Sequence, residues 1–237
     1  MLRTFYSFAA LAIIASTSLL TSCENEDPGP LQEVEREYPV TDFDRLEMGS
    51  AFNITVEQGN IYSVEVRGDR RNLDDLDVYK SGSTLVVKYD DNGNRRHDTY
   101  ITITMPSLKG VNFSGASISK IRGFESDEDF DFYLSGASKS QMESDFREID
   151  MVVAGASSLV LFGSGDELKG EISGASSVKA FDFPVREVDI ELSGASEGKV
   201  MVTDELKVRA SGASSVLYRG NPSVTSNTSG ASSVQKD

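Results

Sequence analysis

The 237-residue sequence has no tryptophan, one histidine, one cysteine and six prolines. Each scarcity removes something. With so little His and Cys, most catalytic and metal chemistry lacks its usual bases and ligands. A single cysteine cannot bridge within the chain, so no disulfide framework holds the fold. His97 stands in "NGNRRHD", between Arg96 and Asp98. A nucleophile needs a positioned base and an orienting partner, and a lone His in a polar loop supplies neither. Positive charge is also short: 23 Lys and Arg face 38 Asp and Glu, a net charge of −15. Arg3 is the only charge in the first 22 residues, so the remainder carries −16. Such a surface favours solubility, repels phosphate backbones and argues against nucleic-acid binding. Long helix-period stretches are missing too, so no glycine-rich phosphate loop opens a helix.

What is present begins with an address. Arg3 precedes the uncharged run "FYSFAALAIIASTSLL" (5–20), and "LTSC" follows, ending at Cys23. Residues 1–22 read as an export signal, too short for a comfortable membrane span and excluded from the fold. "LTSC" resembles the lipobox of bacterial lipoproteins, which implies lipidation of Cys23 and a membrane partner through that lipid. An ordinary signal peptide with a stray cysteine is the alternative. Residues 23–37, "CENEDPGPLQEVERE", read as an acidic, solvated tether. Glu24, Glu26 and Asp27 resemble the surface-export signal of Bacteroidetes lipoproteins. That resemblance implies an outer-membrane anchor and display at the cell surface, with a periplasm-facing domain as the alternative.

The body of the chain repeats itself. Gly-Ala-Ser recurs with its glycine at Gly115, Gly136, Gly155, Gly174, Gly194, Gly212 and Gly230. The spacings are 21, 19, 19, 20, 18 and 18, a regularity that signals stacked repeats. Two residues before the glycine stand Phe113, Leu134, Val153, Ile172, Leu192, Ala210 and Thr228, and polar residues dominate the position between them and the next apolar one back. The same parity resumes after the triplet, at Ile121, Met142, Leu161, Ala180 and Val200. Period-two alternation means strands with one buried face. Each unit reads as strand, sharp corner, strand, loop. The predicted fold is all-β: a right-handed single-stranded parallel β-helix with coils of about 19 residues over 38–237. Residues 38–110 form irregular first coils and 111–237 the seven repeat coils. An antiparallel meander is the competing arrangement. Glycine is expected at each corner because it takes positive φ without a Cβ clash. The serine two residues later (Ser117, Ser138, Ser157, Ser176, Ser196, Ser214, Ser232) shares the buried parity and is expected in a corner ladder, pointing inward or outward. The last repeat, with Ser226 and Thr228 at core positions, reads as a polar C-terminal cap over an otherwise sticky edge.

"FDRLEMGSAFNITVEQGNIYSVEVRGDRRNLDDLDVYKSGSTLVVKYD", followed by "YITITMPSLKGVNFSGAS", resembles the putative auto-transporter adhesin, head-GIN domain family. The resemblance covers about 40–237 and implies a β-helical, secreted or lipid-anchored domain with an adhesive role. One departure is that an autotransporter carries a C-terminal membrane barrel; here the lipid is expected to anchor instead.

Catalytic chemistry finds few footholds. Stacking can pair Glu171 with Glu191, which would suit glycoside hydrolysis, yet on such a prism a solvated face is the better account of them. "DELK" at 166–169 and 204–207 reads as a strand approach with no clustered basic groove for a lyase, and "SDEDFD" at 126–131 and "DDNGN" at 90–94 could bind a cation weakly but read better as solvated loops. The expectation is a non-enzymatic surface lipoprotein with no cofactor or metal, and a glycan or protein ligand outside the cell. A cell-envelope carbohydrate-active enzyme and a purely structural envelope protein are the alternatives, and homo-oligomerisation stays open.

Overall fold

The computed structural model describes residues 29–91, 93 and 95–237. The export signal, Cys23 and the first part of the tether lie outside the described residues. The chain is a β-solenoid of about 7 turns with about 19-residue spacing, and its strands join one 17-stranded sheet.

The repeat region shows how the sequence makes coils. Strands β8 (Gly110–Phe113), β9 (Ile118–Leu134), β10 (Lys139–Val153), β11 (Ser158–Ser164), β12 (Glu167–Ile172), β13 (Ser177–Leu192), β14 (Glu197–Ala210), β15 (Ser215–Arg219), β16 (Ser223–Thr228) and β17 (Ser233–Lys236) pair in parallel with the coil before and after. Alternate side chains enter a continuous core. Phe130 is fully buried and stacks on Phe146 at 4.4 Å between ring centroids, with Phe132 edge-on at 5.9 Å.

The loop expected to close each unit is a strand in most coils. β9, β10, β13 and β14 run unbroken from one triplet to the next. The register slips where coil lengths differ, between Glu143/Asp145 and Phe146/Glu148 against β9 and between Ala180/Pro184 against β14. A bulge bends the strand while the flanking amides stay paired with the next coil, whereas a free loop would leave backbone donors without partners.

The front of the solenoid departs from chain order. β2 (Arg45–Met48) pairs in parallel with both β8 and β6 (Thr84–Tyr89). β3 (Phe52–Gln58) pairs in parallel with both β9 and β7 (Thr99–Met105). Residues 45–58 are therefore sandwiched between the later segments 84–105 and 110–122. The segment 48–52, Met-Gly-Ser-Ala-Phe, takes the corner place beneath Gly115, where a Cβ on that glycine would meet Ser50. Antiparallel strands close this end: β4 (Ser63–Asp69) on β7, and β5 (Leu76–Ser81) on β6.

The tether read over 23–37 ends too late. Glu33–Glu37 form β1, antiparallel to β4. Alternation in Glu-Val-Glu-Arg-Glu turns Val34 onto the core, Glu33 pairs with Arg67, and Arg36 pairs with Asp74. A strand rich in charge covers the solenoid's front edge, which discourages further pairing.

Asp69 pins this cap. Its buried carboxylate accepts from Arg71 Nε (2.7 Å), Arg71 Nη2 (2.8 Å), the Arg71 amide (3.0 Å) and the Gln32 amide (2.9 Å). It also caps the short helix α1 (Arg70–Asp74). The Arg71 side chain, with help from the two amides, holds this carboxyl well below the usual carboxylate range. A depressed folded-state pKa stabilises at pH values above that of free Asp, about 3.9, and the contribution is lost as pH falls below it. Asp69→Asn is expected to lower the unfolding free energy by about 2 kcal/mol at pH 7, with the difference from wild type shrinking below pH ~4. Urea titrations at pH 7 and pH 3 check both parts. An equal deficit at the two pH values would refute the charge argument.

Candidate functional site

Each triplet builds the same corner. The seven glycines have φ between 70° and 80°. The alanine amide of one corner donates to the glycine carbonyl of the preceding corner, for example Ala156 to Gly136 at 2.8 Å and Ala195 to Gly174 at 2.7 Å. The backbone ladder thus passes around the bend intact. From Ser117 to Ser214 the corner serines are buried, while Ser232 in the last coil is half-buried. They point inward, but no corner hydroxyl donates to another. Instead Oγ donates to the carbonyl three residues earlier, at 2.8 Å for Ser138 to Ser135 and 2.7 Å for Ser196 to Ser193. Ser117, Ser214 and Ser232 do the same. Ser157 Oγ has no partner among the described residues, and its amide donates to Ser176 Oγ at 3.3 Å. A hydroxyl that closes its own turn satisfies a buried carbonyl without widening the corner. These glycines and serines serve the bend; ligand chemistry has to sit on the faces between bends.

Two outward faces flank the corner, and they differ in charge. The face before it carries an in-register carboxylate row, Asp129–Glu148–Glu167–Glu187–Glu205. Its cations are taken up locally. Lys169 bridges Glu148 (3.1 Å) and Glu167 (2.8 Å), Lys207 holds Glu205 (2.8 Å), and Arg209 reaches Asp189 (3.1 Å). The hydrogen bond Lys169 donates to Glu167 raises it above the ordinary lysine value, and the one Lys207 donates to Glu205 does so for Lys207. Glu171 and Glu191 are in-register neighbours here, both exposed, with Arg209 3.5 Å from Glu191. The same side-by-side carboxylates recur along the next row, so their closeness follows from stacking and marks no single catalytic centre. Among the described residues no group of three His, Cys, Asp or Glu gathers closely enough to hold a metal ion.

The face after the corner is longer and less acidic. Register links one outward row across eleven strands, beginning Glu35–Arg67–Tyr100–Asn53–Ile118–Lys139 and continuing Ser158–Ser177–Glu197–Ser215–Ser233. At ~4.8 Å per strand this row spans about 48 Å. A parallel row holds Thr102, Thr55, Lys120, Gln141, Val160, Lys179 and Lys199. Near the front the two rows form a groove of about 520 Å³, whose lining includes Asn53, Thr55, Arg67, Tyr100, Ile118 and Lys120. That volume lies within the ~300–1,000 Å³ typical of small-ligand sites. Tyr100 is 40% and Ile118 49% exposed, and the Arg67 guanidinium sits 4.6 Å from the Tyr100 ring centroid.

Sequence reasoning missed this groove. Ile118 and Lys120 fall at the outward parity of their strand, and their neighbours Tyr100 and Arg67 reach them through pairings that cross chain order. His97 lies elsewhere, its Nε2 3.2 Å from the Gly29 carbonyl oxygen. Among the described residues no helix is long and apolar enough to cross a membrane.

Comparison with known proteins agrees with this architecture. No curated protein matches the chain. Solved structures do. A putative adhesin from Bacteroides fragilis superposes with a TM-score of 0.79 at 19% identity, covering 87% of this chain and 97% of that one. A putative lipid binding protein from Parabacteroides distasonis gives 0.69 at 18% identity over 86% and 96%. A putative adhesin from Parabacteroides merdae gives 0.67 at 16% identity, again over 86% and 96%. At such identities the likeness establishes the fold. A family model covers residues 42–222, most of the solenoid, and by that match the chain belongs to the family described as putative auto-transporter adhesin, head GIN domain.

Proposed function

We propose that this protein is a non-enzymatic lipoprotein, anchored through Cys23 and displayed at the cell surface, whose long outward face binds an extended glycan or protein outside the cell. One observation carries the reading: the unbroken eleven-strand face with its groove at Tyr100 and Ile118. An exposed aromatic beside an aliphatic side chain, ringed by Asn53, Thr55 and Thr102, offers an apolar contact within a polar rim, the layout of a binding centre. Stacked coils suit long ligands because each adds the same few ångströms of surface. Membership of an adhesin family and the lipobox-like "LTSC" support the placement.

Cells producing the full chain are expected to retain glycans or matrix proteins that cells lacking it do not. Tyr100→Ala should weaken that retention about tenfold, the scale of losing one aromatic anchor. Protease treatment of intact cells should remove the domain. Complete protection from protease would overturn surface display, and retention unchanged by Tyr100→Ala would overturn the groove as the binding centre.

A further inference from the structure

We infer that the face after the corner docks an acidic polysaccharide, with Lys120, Lys139 and Lys179 meeting its carboxylate or sulfate groups; this rests on the binding reading above and names its ligand class. In the repeat coils Arg147, Lys169, Arg186, Lys207 and Arg209 each have a carboxylate within 4.0 Å. Lys120, Lys139 and Lys179 have none among the described residues. All three are exposed and point outward on the same face. Arg122, two residues beyond Lys120, stands in register between Glu57 and Glu143 and is left out of the set. In a chain with 38 acids against 23 Lys and Arg, leaving these cations unneutralised on one face is a departure from the pattern next door. Lys179 even faces Lys199 in register, and directly opposed like charges destabilise a sheet. Lys199 is relieved by Glu197 at 3.0 Å; Lys179 is left for an external anion.

The surroundings favour sugar over other anions. Between the lysines stand Gln141, Ser158 and Ser177, which donate and accept hydrogen bonds as sugar hydroxyls require. Lys120 lines the groove with Tyr100 and Ile118, where the apolar face of a pyranose ring can rest. From Lys120 to Lys179 the face rises by three strands, roughly 14 Å, so the anionic sites it matches are spaced out along a chain. A nucleic-acid backbone packs charge far more densely and meets the long-range repulsion of the acidic remainder.

The full chain in detergent micelles should bind hyaluronate or polygalacturonate, with affinity falling as salt rises. Lys120→Gln, Lys139→Gln and Lys179→Gln should each weaken binding about fivefold, the losses compounding in the triple variant, with melting temperature unchanged. Lys169→Gln on the other face should leave binding as it was. Equal weakening by Lys169→Gln would mean diffuse attraction and would overturn the site. Equally tight binding to single-stranded DNA would overturn the sugar assignment. Retention of neutral dextran or matrix protein, indifferent to the three lysines, would overturn the acidic ligand while sparing the binding reading. Silence towards the whole panel would overturn both.

Discussion

Gly155→Val is expected to lower the unfolding free energy of the solenoid by about 3 kcal/mol or more, through two separable costs. The first is conformational. Gly155 has φ +80°, a region that β-branched residues essentially avoid. The second is steric. A Cβ at this position runs into the carbonyl oxygen of Gly136, and the equivalent contact is 2.5 Å at Gly194 and Gly212. The obstacle is backbone already engaged in the corner ladder, so it cannot swing aside. Asparagine separates the two costs, because it tolerates positive φ but still carries a Cβ. Gly155→Asn should remain strongly destabilised. Gly82→Asn, at φ +62° with no atom within 4 Å of a new Cβ, should cost only a few tenths of a kcal/mol. If the two asparagine variants unfold at the same denaturant concentration, stacking is not what selects glycine at the corners.

Phe130→Ala should cost about 3–5 kcal/mol, since its ring is fully buried and its removal leaves a cavity between Phe132 and Phe146. Adjacent coils are held by nearest-neighbour contacts, so a gap in one layer also weakens the coupling between the segments on either side. The expected denaturation curve is shifted and broadened. Tyr133→Ala, three residues along the same strand but half-exposed, should change stability by less than about 0.5 kcal/mol. Similar curves for the two variants would contradict the inward assignment of Phe130.

The repeat coils were legible because one constraint acts on every corner. Where backbone meets backbone, only glycine fits, and its recurrence exposes the period. Parity then placed Leu134 and Leu192 inside. The direction of the serines was not legible, because a hydroxyl can bond outward to water, to the next coil or back to its own turn. The third option wins at Ser138 and Ser196, where Ser135 and Ser193 leave a carbonyl within reach. The front end was hidden for a different reason. Residues 48–52 carry Gly-Ser-Ala in place of the triplet, and their neighbours along the axis come from 84–105 and 110–122, which no local pattern announces. The strand at Glu33–Glu37 was masked by its charge, with Val34 its sole apolar contribution to the core. The groove inherits that obscurity, since it exists only once β4, β7, β3 and β9 lie side by side.

That inversion of order has a kinetic consequence. Successive repeat coils meet partners about 19 residues away, so each can form as soon as its predecessor exists. Asn53 instead pairs on one side with Tyr100 and on the other waits for Ile118, 65 residues later in the chain. Contacts of long sequence separation close slowly because their loop entropy is lost before the pairing is gained. A chain emerging amino-terminus first therefore holds its front segment open until the first Gly-Ala-Ser corner has arrived, and the groove cannot exist before about half of the chain is present.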